Sequence, residues 1–145
     1  MRQKLDKSEL ILELIEPFVN EGKILPRSYT EIAENVDDFV LLMVSNELVA
    51  CAGLRSCKND TAGEIYCMAV KHSHQKLGYS KDLLTKVINK AKCNNYSKVF
   101  ALSKYSTNWF LKYGFIKTDI DELPKNRQKS FNFKRNSSVF VMNID

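Results

Sequence analysis

The apolar positions of this chain change spacing repeatedly, and each change marks an element. Near the amino end they fall at Leu10, Ile11, Leu14, Ile15 and Phe18, the spacing of a helix with one buried face. Asp6-Lys7-Ser8-Glu9 forms a capping box before it, Gly22 marks its end, and Pro17 is expected to kink or tighten the last turn. Ser28-Tyr29-Thr30-Glu31 is a second capping box and opens a short helix containing Ile32 and Ala33. The pattern then becomes unbroken: Phe39–Ser45 and Leu48–Leu54 are apolar runs joined by Asn46-Glu47, which predicts an antiparallel hairpin. Asn59–Thr61 reads as the next turn. The run Ile65, Tyr66, Cys67, Met68, Ala69, Val70 is a buried strand bounded by Gly63 and by polar residues, within a strand over 64–70. Helical spacing returns at Leu83, Leu84, Val87, Ile88 and Ala91, giving a helix over 78–93. A strand at Val99–Leu102, a helix around Thr107–Lys112, and strands near Ile116–Asp119 and Val139–Ile144 complete the order. No repeat or low-complexity segment interrupts it. The pattern predicts one mixed α/β domain over residues 1–145.

Composition narrows the function classes. A chain of 145 residues is long enough to bury one core. No apolar stretch reaches the length of a membrane span, and Asp6 to Glu9 interrupt any signal-peptide-like region, so a cytoplasmic protein without a membrane partner is expected. Cys51, Cys57, Cys67 and Cys93 form no C-x-x-C pair, which favours reduced thiols. His72 and His74 lack further histidines, so no metal is expected. The net charge is +5, and basic residues cluster in Lys71–Lys81 and Lys125–Arg135, which a polyanionic small molecule such as coenzyme A would explain economically.

One of those clusters coincides with the segment Gly63 to Leu84, where a strand runs into a loop of exposable amides and then a helix. The first turn of a helix carries unpaired N–H groups and the positive end of its dipole, which favours a bound phosphate. Gly78 allows close backbone approach. The segment is neither G-x-G-x-x-G nor a Walker loop. Gln75, Lys76, Leu77, Gly78, Tyr79 and Ser80 instead resemble the Q/R-x-x-G-x-G/A pyrophosphate loop of the GNAT acetyltransferases, with Ser80 in the last small position.

The resemblance extends along the chain. The element order is that of the GNAT fold, and Asn108 to Phe115 is similar to the family's helix before a terminal G-F. Ile24 to Ser28, Gly63 to Val70, Asp119 to Pro124 and Phe131 to Val139 look like the acetyltransferase domain of the bacterial N-acetylglutamate synthases, from about residue 8 to the end. This implies a mixed central sheet flanked by helices, acetyl-CoA as cosubstrate, and acetyl transfer to the α-amino group of L-glutamate. The amino-acid-kinase-like domain of the long enzymes has no counterpart here, so a stand-alone short form is expected, for which a homodimer would be unsurprising.

The resemblance also implies roles. Glu64 takes the amine proton, through a water, and Ser106 protonates the departing thiolate. The common acid of the family, a tyrosine, is replaced by Phe110. The backbone of Cys67, Met68, Ala69 and Val70 binds the pantetheine arm, and one N–H there stabilises the oxyanion. Arg27 and Arg135 grip the two carboxylates of the acceptor. Plainer readings stand beside these: Glu64 as a solvated strand-edge carboxylate, Ser106 as a helix cap, Arg27 as a loop charge and Arg135 as a strand-edge gatekeeper. Cys67 with His72 or His74 is a rival nucleophile and base. The tract Lys125 to Arg135 has the mixture of cations and rings that binds single-stranded nucleic acid, although the enzyme reading needs no nucleic acid. Another amine as acceptor, or an acetyl-CoA-binding module without catalysis, also fits.

Overall fold

The computed structural model describes residues 6–57, 61–104, 106–132, 135 and 137–144. Its helices are α1 (Lys7–Asn20), α2 (Tyr29–Glu34), α3 (Tyr79–Cys93), α4 (Thr107–Lys112) and α5 (Lys125–Lys129). The strands β1 (Phe39–Val44), β2 (Glu47–Ser56), β3 (Ala62–Val70), β4 (Lys98–Ser103), β5 (Ile116–Thr118) and β6 (Ser138–Asn143) form a six-stranded mixed sheet in the order β1-β2-β3-β4-β6-β5. The chain divides into two compact units, Met1–Gly53 with Cys67–Lys86 and Leu54–Tyr66 with Val87–Asp145.

In the first unit, local sequence accounts for most of the elements. The Asp6 carboxylate caps α1 by accepting the Glu9 amide at 2.8 Å, and it also accepts the Tyr29 hydroxyl at 2.6 Å, tying α1 to the start of α2. Those two bonds lower the Asp6 pKa, the tyrosine's contribution being the larger. Ile11, Leu14, Ile15 and Phe18 are buried along one face of α1, as their spacing predicts. The helix continues past Pro17 to Asn20, then tightens where Gly22 N donates to Val19 O at 3.0 Å, with Gly22 at φ 76°. Both bonds of the Ser28–Glu31 capping box form.

The hairpin differs from expectation by one residue. Its turn is Ser45-Asn46, at φ 50° and 65°, and Glu47 already pairs with Val44. A two-residue hairpin turn follows the strand twist when both central residues have positive φ, a conformation Asn adopts at small cost. A register shift between Leu42 and Met43 accompanies it.

The second unit holds the other half of the sheet. β4 pairs with β3 in parallel from Ala62↔Lys98 to Ile65↔Ala101, and the ladder stops there. On its other edge β4 pairs antiparallel with β6 along its full length, while β5 pairs with the far side of β6. Phe100, Val139, Leu123 and Ala62 are buried together, with Ile120, Phe131 and Val141 packed against them. Phe110 meets the edge of Phe115 and stacks on Phe140, each at a centroid distance of 5.0 Å. The carbonyl of Ala62 accepts the Cys57 amide at 3.3 Å. Asn59 and Asp60 of the expected turn lie outside the described residues.

The segment between β5 and β6 contains structure that periodicity misses. Asp119 caps a short 3-10 turn over Ile120–Glu122 by accepting the Asp121 amide, and α5 follows Pro124. Gln128 Nε2 donates to the carbonyls of Leu123 (2.8 Å) and Asp121 (3.3 Å), binding α5 to that turn. Single-turn helices are too short to show a repeating apolar face, so side-chain and tertiary bonds specify them instead.

Candidate active site

Glu64 is the third residue of β3 and is only 3% exposed, so it is not a solvated strand-edge carboxylate. Its Oε1 accepts Nε and Nη2 of Arg55, from β2, at 3.3 and 3.1 Å. Arg127, from α5, grips the same group side-on, donating Nε to Oε1 at 2.8 Å and Nη2 to Oε2 at 3.3 Å. The Arg55 guanidinium also lies over the Tyr66 ring, 4.5 Å from its centroid. An isolated carboxylate at such a depth would be expensive to keep ionised, and two cations with matched hydrogen bonds offset that cost. Neither arginine was singled out in the sequence as a partner of Glu64: Arg55 precedes it by 9 residues and Arg127 follows it by 63.

Still within the second unit, Ser106 precedes α4. Its carbonyl accepts the Phe110 amide at 3.1 Å, but its hydroxyl makes no capping bond, so the cap reading fails at the side chain. Its amide donates to Ser103 Oγ at 3.1 Å, which places a second hydroxyl at the β4–α4 junction that the sequence reading passed over. Phe110 is sealed between rings and offers no acid. Arg135 is half-buried in a turn, its amide donating to Asn132 Oδ1 at 3.1 Å. The expected strand-edge placement is therefore corrected, because β6 begins only at Ser138.

Within the basic tract, Lys125 and Lys129 are exposed, but two other members are turned inward. Arg127 is turned onto Glu64 and Phe131 packs against the buried cluster around Phe100. Phe133, Lys134 and Asn136 lie outside the described residues.

In the first unit, β3 bends at Cys67, whose φ of 52° is unusual for a non-glycine residue. The Cys51 thiol donates to the Cys67 carbonyl at 3.4 Å. Immediately after the stretch Met68, Ala69, Val70, the chain is pinned to β2 by Lys71 N donating to Val49 O at 2.7 Å, and the Lys71 side chain pairs with Glu47. Burial pushes the Cys67 thiol up to about 11, an effect partly opposed by the Arg27 guanidinium beside it. Arg27 is thus no plain loop charge, although it also lies 3.9 Å from Glu31.

Both histidines proposed as a base for Cys67 have other partners. His72 Nε2 bonds Glu21 Oε1 at 2.9 Å and its ring stacks on Phe18 at 4.5 Å, while His74 Nδ1 pairs with Ser73 Oγ at 2.8 Å. Burial raises the Cys51 thiol as well. At pH 8 roughly one part in a thousand of a thiol like Cys67 is thiolate. Alkylation of the folded protein at that pH is therefore expected to label exposed Cys93 and half-buried Cys57 first, with Cys67 and Cys51 modified at least 10²-fold more slowly, in roughly that proportion. The rate at Cys67 should climb as pH approaches 11. Peptide mass mapping against time checks this, and fast labelling of Cys67 at pH 8 would restore it as a nucleophile.

The loop ahead of α3 joins the end of β3 to the start of that helix. Gln75 Nε2 donates to Val70 O at 3.0 Å and so folds the loop back on the end of β3. Lys76 and Gly78 have φ of 65° and 88°, and the helix starts at Tyr79, one residue later than expected. Nothing lies within 4 Å of where a Cβ on Gly78 would sit, so the glycine serves the backbone conformation and not a crowded contact. Gln75, Lys76, Leu77 and Gly78 are exposed, and Tyr79 and Ser80 half-buried. Among the described residues, no group of three or more His, Cys, Asp or Glu side chains is placed to hold a metal ion, and no helix is long and apolar enough to cross a membrane.

A six-stranded mixed sheet with a bent central strand leading to a glycine turn and a helix start defines an acyl-CoA-dependent N-acyltransferase fold. The chain belongs to the acetyltransferase (GNAT) family, whose family model matches residues 8–115. It is 31% identical over 134 residues to an amino-acid acetyltransferase of Shewanella oneidensis, which covers 92% of this chain and 30% of that protein. The chain thus spans about a third of the length of the curated relatives it matches. Among solved structures, N-acetylglutamate synthase from Neisseria gonorrhoeae, complexed with coenzyme A and N-acetyl-glutamate, superposes with a TM-score of 0.91 at 34% identity, over 99% of this chain and 34% of that one. A GNAT-family acetyltransferase from Staphylococcus aureus shares the fold at a TM-score of 0.80 and 19% identity, over 100% of this chain and 98% of that chain.

Proposed function

We propose that residues 1–145 act as a single catalytic domain that transfers the acetyl group of acetyl-CoA to the α-amino group of L-glutamate, the first step of arginine biosynthesis, in the cytoplasm. The observation that supports this is the match of nearly the whole chain to about a third of the synthase crystallised with coenzyme A and N-acetyl-glutamate, at 34% identity. A symmetric homodimer is the expected assembly, with neither membrane nor nucleic acid as partner.

The chemistry assigned to each residue follows from what the reaction requires. The pyrophosphate of acetyl-CoA lies on the amides of Gln75 to Ser80 at the start of α3. The pantetheine arm pairs with the backbone of Cys67 to Val70, beyond the point where β3 leaves β4. The neutral amine attacks the thioester carbonyl, and an N–H of the bent strand receives the negative charge that develops on its oxygen. Glu64 takes the amine proton through a water. The C–S bond then breaks and the coenzyme A thiolate takes a proton from a hydroxyl at the β4–α4 junction as that hydroxyl takes one from solvent water. Ser106 is the assigned donor. Ser103, whose oxygen already accepts an amide N–H and whose own proton is left to donate, is the second reading. Arg27 and Arg135 bind the two acceptor carboxylates.

Coenzyme A release by the purified protein, measured over the twenty amino acids with mass detection of the product, tests the assignment. Saturable N-acetyl-L-glutamate is expected. Turnover of a different amine would keep the mechanism and discard the acceptor, and binding of acetyl-CoA without turnover would leave a non-catalytic module. In the same assay Ser106→Ala is expected to lower kcat by roughly 10²-fold. An unaffected Ser106→Ala enzyme with a crippled Ser103→Ala enzyme would move the proton donor to Ser103.

A further inference from the structure

Glu64 is held more tightly on one oxygen than on the other. Among the described residues, Oε1 receives Nε and Nη2 of Arg55 and Nε of Arg127, whereas Oε2 receives Arg127 Nη2 alone, at 3.3 Å. Arg55 reaches Oε1 alone, so it cannot stop the carboxylate from rotating about that contact. Arg127 touches both oxygens and can. Its own orientation is set in turn: Nη1 donates to Ser130 Oγ at 2.9 Å, and that hydroxyl donates to the Arg127 carbonyl at 3.1 Å. The two bonds from Gln128 to Leu123 and Asp121 seat α5 on a segment whose Leu123 is buried in the core. All three donor-bearing nitrogens of the Arg127 guanidinium are thus engaged with Glu64 and Ser130.

We propose that Arg127 is the positioning residue for Glu64, fixing the carboxylate plane side-on and, with Arg55, committing Oε1, so that Oε2 is the oxygen that takes the acceptor's proton. This rests on the assignment of Glu64 as base. The proton moves from the amine nitrogen to the bridging water as the water's own proton passes to Oε2. Glu64 is left as a neutral acid, which returns that proton to solvent after product leaves. Arg55 from β2 and Arg127 from α5 are the charged groups facing Glu64 among the described residues.

The test compares Arg127→Gln, Arg127→Lys and the milder Ser130→Ala with wild type, reading kcat, KM for acetyl-CoA and the acidic limb of the pH profile on whichever amine the wild type acetylates. Arg127→Gln is expected to lower kcat by roughly 10- to 100-fold with KM for acetyl-CoA within about twofold, and to shift the acidic limb, because a cation beside the base is lost. Arg127→Lys keeps the charge and loses the fork, so kcat falls while the limb stays near its wild-type position. Ser130→Ala, which leaves Arg127 in place, lowers kcat in the same direction by less. A fall in activity that tracks the folded fraction, with the limb unmoved in Arg127→Gln, would make Arg127 a brace and overturn the proposal. If the wild type turns over no amine, the proposed function falls by itself. The clamp is then read from the Glu64 carboxyl carbon resonance of ¹³C-glutamate-labelled protein, assigned with Glu64→Gln. A carboxyl resonance that Arg127→Gln leaves in place overturns it, and a displaced one upholds it.

Discussion

Glu64→Gln is expected to lower kcat by about 10²- to 10⁴-fold while acetyl-CoA binding stays close to wild type. The substitution keeps the volume of the side chain and removes its charge and its capacity to take a proton at neutral pH. It also turns an amide toward the guanidinium groups of Arg55 and Arg127, which then face no anion. A buried pair broken in this way is destabilising, but the Arg55 side chain is 39% exposed and solvent screens its share. The expected cost is therefore about 1–3 kcal/mol, read as a lower midpoint of denaturant unfolding. Two measurements on one variant separate two roles. A large fall in kcat in protein that is still folded identifies the base. A protein that loses stability and retains wild-type kcat would make Glu64 a structural anion holding β2, β3 and α5 together, and the catalytic base would have to be sought elsewhere.

Arg135→Ala should be the most selective lesion. If its guanidinium binds an acceptor carboxylate, its removal costs about 2–4 kcal/mol of acceptor binding, roughly 30- to 1000-fold in KM for glutamate, while KM for acetyl-CoA moves by about twofold or less. Arg135→Lys restores the charge without the two-pronged geometry and should recover only part of the loss. Arg27→Ala is expected to raise the acceptor KM as well, with a second effect that Arg135→Ala lacks. Arg27 opposes the upward push of burial on the Cys67 thiol, so without it that thiol should become still harder to alkylate. Initial rates over a grid of both substrates give the two KM values. An Arg135→Ala enzyme with a normal KM for glutamate and a raised one for acetyl-CoA would assign this turn to the cofactor instead.

The sequence carried those features whose causes are local. Capping residues lie three positions from the amides they bind, so Asp6 and Ser28 announced α1 and α2, and the bonds are present. Buried strands advertise themselves as apolar runs, and β1 to β4 fall within a few residues of the places those runs mark. Gly78, in a backbone conformation open chiefly to glycine, marked the turn before α3. Where the physical cause is long-range, the sequence was silent or misleading. Nothing local says that β6 inserts between β4 and β5, because strand pairing is decided by which edges and faces are buried together. The positive φ of Cys67 has no sequence mark either, since a non-glycine residue takes that conformation only when its surroundings impose it. Most consequentially, Glu64 was legible as a carboxylate on a buried strand but not as one held by two arginines. Burial leaves a charge no water to bind, so it must find its counterions wherever the fold delivers them, and only the tertiary structure brings Arg55 and Arg127 to it.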